Sequence, residues 1–153
     1  MKLYKSLLII LITISCSPKE TSNNLAIIIN SQDSKDKEMA YKIIEFTFVG
    51  VRLRGRLYLP KNKSKEHPLV IMAHGFSATI NGMVADKYAE EFYKAGFAVL
   101  LYDHRNFGIS EGTPRQELNY WMQCRGYIDA INFAYTLKNI DKNKIALWGD
   151  SIS

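Results

Sequence analysis

Between Tyr41 and Leu59 apolar and polar residues alternate with a period of two. Ile44, Phe46 and Phe48 are separated by Glu45 and Thr47; after Gly50, Val51, Leu53, Leu57 and Leu59 alternate with Arg52, Arg54, Arg56 and Tyr58. Successive side chains of a strand point to opposite faces, so two such runs about a glycine predict a β-hairpin. One face would be apolar and the other wet, with the three arginines and Tyr58 outward. Leu69 to Ala73, the stretch FAVLLYD from Phe97, and IALWG from Ile145 are apolar without alternation. Short runs of that kind predict strands covered on both faces.

Two stretches repeat at helical spacing instead. Ala85, Tyr88, Ala89 and Phe92 form one apolar stripe against Asp86, Lys87, Glu90, Glu91 and Lys94, with Gly96 as the expected stop. Further on, Trp121, Cys124, Ile128, Ile131 and Tyr135 recur at 3-4-3-4 spacing, opposite Arg125, Asp129, Asn132 and Thr136. The apolar stripe is the expected buried face, which makes Cys124 a small buried hydrophobe. Two starts fit this helix: Thr113 followed by Pro114, or Asn119. The order ββ-βα-βα-β predicts an α/β fold, a hairpin leading into a mostly parallel sheet flanked by helices.

The first forty residues follow another pattern. Lys2 and Lys5 precede SLLIILITIS, an apolar stretch of about ten residues, too short to span a bilayer. It runs into Cys16 and then polar SPKETSNN. This resembles a bacterial lipoprotein signal, although Thr13 stands where such signals carry an aliphatic residue. The resemblance implies a signal peptide over 1–15, lipidation of Cys16, and an exported, membrane-anchored protein of the cell envelope. Residues 16–40 would be a tether, with LAIII a short apolar interruption capable of forming a strand. The net charge of +5 includes Lys2 and Lys5, and the remaining basic residues are scattered, Arg52, Arg54 and Arg56 being the densest set. No aromatic stacking module accompanies them, which argues against nucleic-acid binding.

In open α/β sheets reactive groups collect beyond the carboxyl ends of the strands. The last strand ends in Gly149-Asp150-Ser151-Ile152-Ser153, one position short of G-x-S-x-G. A serine is a poor nucleophile unless it stands clear of the sheet near a base, and a sharp turn with small residues two places either side achieves this. The strand from Leu69 ends in His74-Gly75-Phe76. An oxyanion needs two fixed N–H donors; Ile152 would supply one and Phe76 or Ser77 the other. His74 is expected to hold its loop rather than act as a base. The middle strand ends in Asp103 and a glycine-punctuated loop, where the acid is expected to pin the bend; Ser110 there lacks an elbow.

HGF, YDHRNFGISEGTPRQEL and LWGDSIS, in this order and spacing, resemble the α/β-hydrolase superfamily, in particular Xaa-Pro dipeptidyl-peptidase-like or dienelactone-hydrolase-like domains of serine-aminopeptidase type. The resemblance covers roughly Ile43 to Ser153 and implies a partial α/β-hydrolase domain over 41–153. It implies a Ser-His-acid mechanism on an ester or peptide-like substrate, with neither metal nor organic cofactor. Ser151 matches the nucleophile, Phe76 and Ile152 the oxyanion donors, and His74, Gly75, Asp103, Gly149 and Asp150 the supporting motifs. In that fold the acid and histidine follow the nucleophile, whereas His67, His74 and His104 all precede it. The chain is therefore expected to be the N-terminal part of a serine hydrolase with its C-terminal half missing, inactive by itself. The alternative is a non-catalytic envelope lipoprotein that uses a degenerate hydrolase half as a binding or structural module.

Overall fold

The structure is a computed structural model that describes residues 27–32, 40–61, 66–82 and 84–153. The expected signal peptide over 1–15, Cys16 and most of the expected tether lie outside the described residues. Eight elements follow in order: β1 (Ile27–Gln32), β2 (Tyr41–Phe48), β3 (Val51–Tyr58), β4 (His67–Ala73), α1 (Ala85–Lys94), β5 (Ala98–Tyr102), α2 (Tyr120–Thr136) and β6 (Ile140–Gly149). The strands form one sheet in the order β1-β2-β3-β5-β4-β6. β4, β5 and β6 run parallel, and β1, β2 and β3 are joined antiparallel. β1 pairs with β2, so the sheet begins inside the stretch expected to be tether, at its apolar interruption.

The β2–β3 hairpin turns in two residues, Val49 and Gly50, with Phe48 paired to Val51. Both turn residues have positive φ, 36° and 75°, the mirror-image turn whose twist matches that of the strands. The sheet is covered on both faces at its centre. On one side Leu53, Leu57, Leu100 and Tyr102 pack beneath α2; on the other Tyr58, Val99, Leu101 and Met72 pack beneath α1. Each such side chain contributes about 1.5–3 kcal/mol by leaving water.

This two-sided cover corrects the expected wet face of the hairpin in part: Thr47 and Arg52 on that face are exposed, whereas Tyr58 and Glu45 are not. Tyr58 is buried, because β3 is an interior strand whose second face lies under α1 and the loop before it. Glu45 is buried too, and is paired with Arg54 at 2.8 Å.

α1 ends as the sequence predicts. The Gly96 N–H bonds the Tyr93 carbonyl and the Phe97 N–H that of Phe92, with Gly96 at φ 91°, a glycine-dependent C-terminal cap. α2 starts at the second candidate, where the Asn119 side chain accepts from the Met122 N–H. Its buried face differs from the expected one. Gln123, Gly126, Tyr127, Ala130, Phe133 and Ala134 point inward, while Trp121, Cys124, Ile128 and Tyr135 are exposed. Gly126, Ala130 and Ala134, four apart, let the helix settle closely on the sheet: a Cβ at Gly126 would lie 3.3 Å from the Tyr102 hydroxyl. Large residues on the neighbouring stripe cannot approach as near. β6 is likewise not covered on both faces, because it stands at the sheet edge beyond β4.

Candidate active site

β4, β5 and β6 end side by side, Ala73 in register with both Tyr102 and Gly149. The turn that leaves β6 carries Ser151 at φ 59°, left-handed backbone that a non-glycine residue adopts only under constraint. Ser151 is exposed, and the turn is closed by the Ser153 N–H bonding the Asp150 carbonyl at 3.2 Å. Gly149 faces the Ser153 hydroxyl, which a Cβ at 149 would displace, and a Cβ there would also lie 3.3 Å from the Tyr127 hydroxyl. Behind it the Tyr127 hydroxyl donates to the Trp148 carbonyl at 2.9 Å, latching α2 to the strand end. Burial pushes the Tyr127 phenol up to about 12, so it remains a donor at neutral pH.

The loop after β4 leans on this turn. A Cβ at Gly75 would lie 2.7 Å from the Asp150 carbonyl oxygen and 3.1 Å from the Ser151 Cβ, so only glycine permits this approach. The next residue, Phe76, leaves 58% of its surface exposed, and Ser77 is again left-handed at φ 60°. Ile152 is half-buried on the other side of Ser151. The structure thus brings together Gly75, Asp150 and Ser151, and sets Phe76 and Ile152 in the chain next to that contact.

His74 is buried and held at both nitrogens. Nδ1 lies 2.9 Å from the Gly75 carbonyl oxygen, while Nε2 lies 3.3 Å from Asp103 Oδ1 and accepts from the His104 N–H at 3.3 Å. Donation from Nδ1 to Gly75 fixes the tautomer in which Nε2 accepts. Among the described residues no histidine bonds the Ser151 hydroxyl, and His67 lies at the opposite end of β4, paired in register with Ile140.

Asp103 is fully buried at the end of β5. Oδ1 accepts from the Ile80 N–H at 2.8 Å and Oδ2 from the Ile109 N–H at 2.9 Å, so one carboxylate ties the loop after β4 to the loop after β5. Ser110 is taken up structurally: its hydroxyl donates to the Asp103 carbonyl at 2.6 Å and accepts from the Arg54 N–H at 2.9 Å. Arg52 and Arg54 both reach Glu111, and Arg52 holds its carboxyl down at about 2. His104, buried between the rings of His74, Tyr102 and Tyr127, is kept neutral; burial, with His74 second, lowers it to about 3.

Tyr127 and the arginines of β3 had no assigned part in the sequence reading. The available signal for Tyr127 was its place on the small-residue face of α2, four residues from Gln123 and one from Gly126.

A strand-turn-serine next to a glycine loop at the carboxyl ends of a mixed sheet defines the α/β-hydrolase class. Solved structures agree. The chain superposes on an α/β hydrolase from a Penicillium species with a TM-score of 0.66 at 31% identity, covering 71% of this chain and 37% of that one. It matches an acetyl xylan esterase from a Paenibacillus species with a TM-score of 0.69 at 20% identity, over 84% and 46% of the two chains, a likeness of fold. Residues 49–153 match the X-Pro dipeptidyl-peptidase (S15) family, and the chain belongs to that family. It is 44% identical over 119 residues to the thiohydrolase aneE of Aspergillus aculeatus, covering 77% of this chain and 36% of that protein. It is 37% identical over 108 residues to the quorum-quenching protein AidA of Acinetobacter baumannii, covering 71% and 35%. The chain therefore spans about a third of the length of these curated relatives.

Proposed function

We propose that the chain carries the nucleophile and oxyanion hole of a serine hydrolase that cleaves an acyl bond (ester, thioester or peptide-like amide) of a small molecule. The observation that carries this reading is the left-handed, exposed Ser151 on the turn after β6, with Gly75 pressed against it. Ser151 Oγ attacks the acyl carbon; the N–H groups of Phe76 and Ile152 receive the oxygen that becomes negative. The similarity to a thiohydrolase adds acyl–sulfur bonds to the candidate substrates.

The serine proton needs a base that none of the described histidines provides. His74 is committed to the Gly75 carbonyl and the His104 amide, and His104 is enclosed by aromatic rings. The base and its orienting acid are therefore proposed to come from sequence beyond Ser153, as the length of the relatives allows. Without a base the hydroxyl remains a neutral alcohol, a loss on the order of 10⁶ in turnover. The 153-residue chain is expected to resist a fluorophosphonate probe, and to hydrolyse an activated ester no faster than its Ser151→Ala variant. A chain extended to the relatives' length is expected to label at Ser151. Serine-dependent turnover by the shorter chain would overturn the assignment of the base, and an unlabelled extended chain would overturn the serine reading itself.

A further inference from the structure

Arg52, Arg54 and Arg56, the densest basic set in the chain, stand on β3 at intervals of two residues and therefore share one face of the sheet. Arg52 and Arg54 engage the loop after β5 through Glu111 and, from Arg54, the Ile109 carbonyl at 3.0 Å. Arg56 turns to the other loop. Its Nη1 donates to the Ile80 carbonyl at 3.1 Å, its Nη2 to the Asn81 side-chain oxygen, and its guanidinium lies 4.7 Å from the centre of the Tyr41 ring.

We propose that Arg56 is a positioning residue for the oxyanion loop: together with Asp103 it clamps the backbone of Ile80, fixing residues 75–80 against the serine turn. The proposal rests on the serine reading above for its catalytic consequence, but the clamp stands on contacts of its own. The Ile80 N–H is held by a buried carboxylate from the end of β5, and the Ile80 carbonyl by a guanidinium from β3. Both bonds are charge-assisted, and so roughly twice as strong as neutral ones. The planar fork satisfies two acceptors at once while its face rests on Tyr41, which the single ammonium of lysine cannot reproduce.

The loop has something to restrain. Ser77 is left-handed between the Gly75 contact and the clamped Ile80, a conformation that persists only when its surroundings impose it. Only three residues separate Phe76 from Ile80, so slack at Ile80 is transmitted to the Phe76 N–H. Arg56 does not touch the reacting atoms; it acts through the placement of that donor.

Two measurements test this. In the 153-residue chain, amide hydrogen exchange of Arg56→Gln is expected to quicken about tenfold or more at Ile80 and Ala78, with Ile71 and Leu100 unchanged, and Arg56→Lys is expected to restore protection only in part. Unchanged exchange at Ile80 and Ala78, or equal loss throughout β4 and β5, overturns the clamp. In the extended chain, Arg56→Gln is expected to lower kcat for an activated ester by roughly 10- to 100-fold with KM nearly constant, because a donor displaced by about 1 Å fails chiefly in the transition state. A change confined to KM, or full rescue by lysine, overturns the positioning role. An extended wild-type chain that neither labels nor turns over removes the catalytic consequence together with the serine reading, and the exchange measurement still decides the clamp.

Discussion

At the scale of single residues the motifs were legible wherever chemistry demands one residue type. Gly75 is required by close approach to the Asp150 carbonyl, and the serine between small neighbours stands on a left-handed turn. Asp103 pins its loop, as an acid at such a bend is expected to. His104 was not legible, because its state depends on what packs around it. Rings of His74, Tyr102 and Tyr127 enclose it, Asp103 is the neighbouring charge, and neither ring nitrogen has a hydrogen-bond partner among the described residues. Its folded pKa of about 3 lies below the unfolded value of 6.5, so the unfolded chain binds the extra proton. The contribution is therefore complete above pH 6.5 and is lost as pH falls toward 3, reaching about 2 kcal/mol at pH 5. Replacing an unpartnered buried polar ring by an apolar ring of similar shape is close to neutral or stabilising. His104→Phe is thus expected to match or exceed wild type in urea denaturation at pH 7, and to be relatively more stable by about 2 kcal/mol at pH 5. An unchanged difference between the two pH values would contradict a neutral His104.

At the scale of elements, period and punctuation located every strand and helix from Tyr41 onward, and failed on which face is buried. The failures share one cause. Alternation marks Tyr58 and Glu45 as outward; the face stays wet at Thr47 and Arg52, but α1 and the loop before it cover Tyr58, and Glu45 is accommodated by pairing with Arg54. In α2 apolar residues occupy most of the circumference, so counting large side chains selects the wrong stripe. The small residues decide, because Gly126, Ala130 and Ala134 set how near the helix can come. Phe133, stacked on Phe46 at 5.4 Å between ring centres, is the anchor of the true face, whereas Trp121 is 84% exposed. Phe133→Ala is expected to cost about 3–5 kcal/mol through lost burial and the cavity left behind. Trp121→Ser should change stability by no more than about 0.5 kcal/mol. Urea denaturation of the two variants checks the assignment, and a large loss at Trp121 would reinstate the other face.

At the scale of the whole molecule, the surface beside β6 differs from the rest. β6 borders the sheet, and Leu147, 43% exposed, lies on it between Ala146 and the half-buried Trp148. Ile145, two residues earlier and so on the same face of the strand as Leu147, packs into the core cluster that α2 covers. α2 in turn exposes Ile128 and Tyr135 on the stripe that the sequence pattern marks as apolar. A strand edge offers unpaired N–H and carbonyl groups, and apolar residues beside it favour pairing with another chain. The curated relatives are about three times the length matched here, so in a chain of their length this surface has candidate cover from further sequence. Two opposite outcomes follow for one substitution. In the 153-residue chain, Leu147→Lys places a charge on the exposed edge and is expected to raise the monomer fraction in sedimentation velocity at protein concentrations on the order of 100 μM. In a chain of the relatives' length the same lysine would be buried without a partner, and is expected to lower stability by several kcal/mol. A wild-type 153-residue chain that stays monomeric throughout would refute the open-edge account. A longer chain indifferent to the lysine would show that β6 remains the border of its sheet.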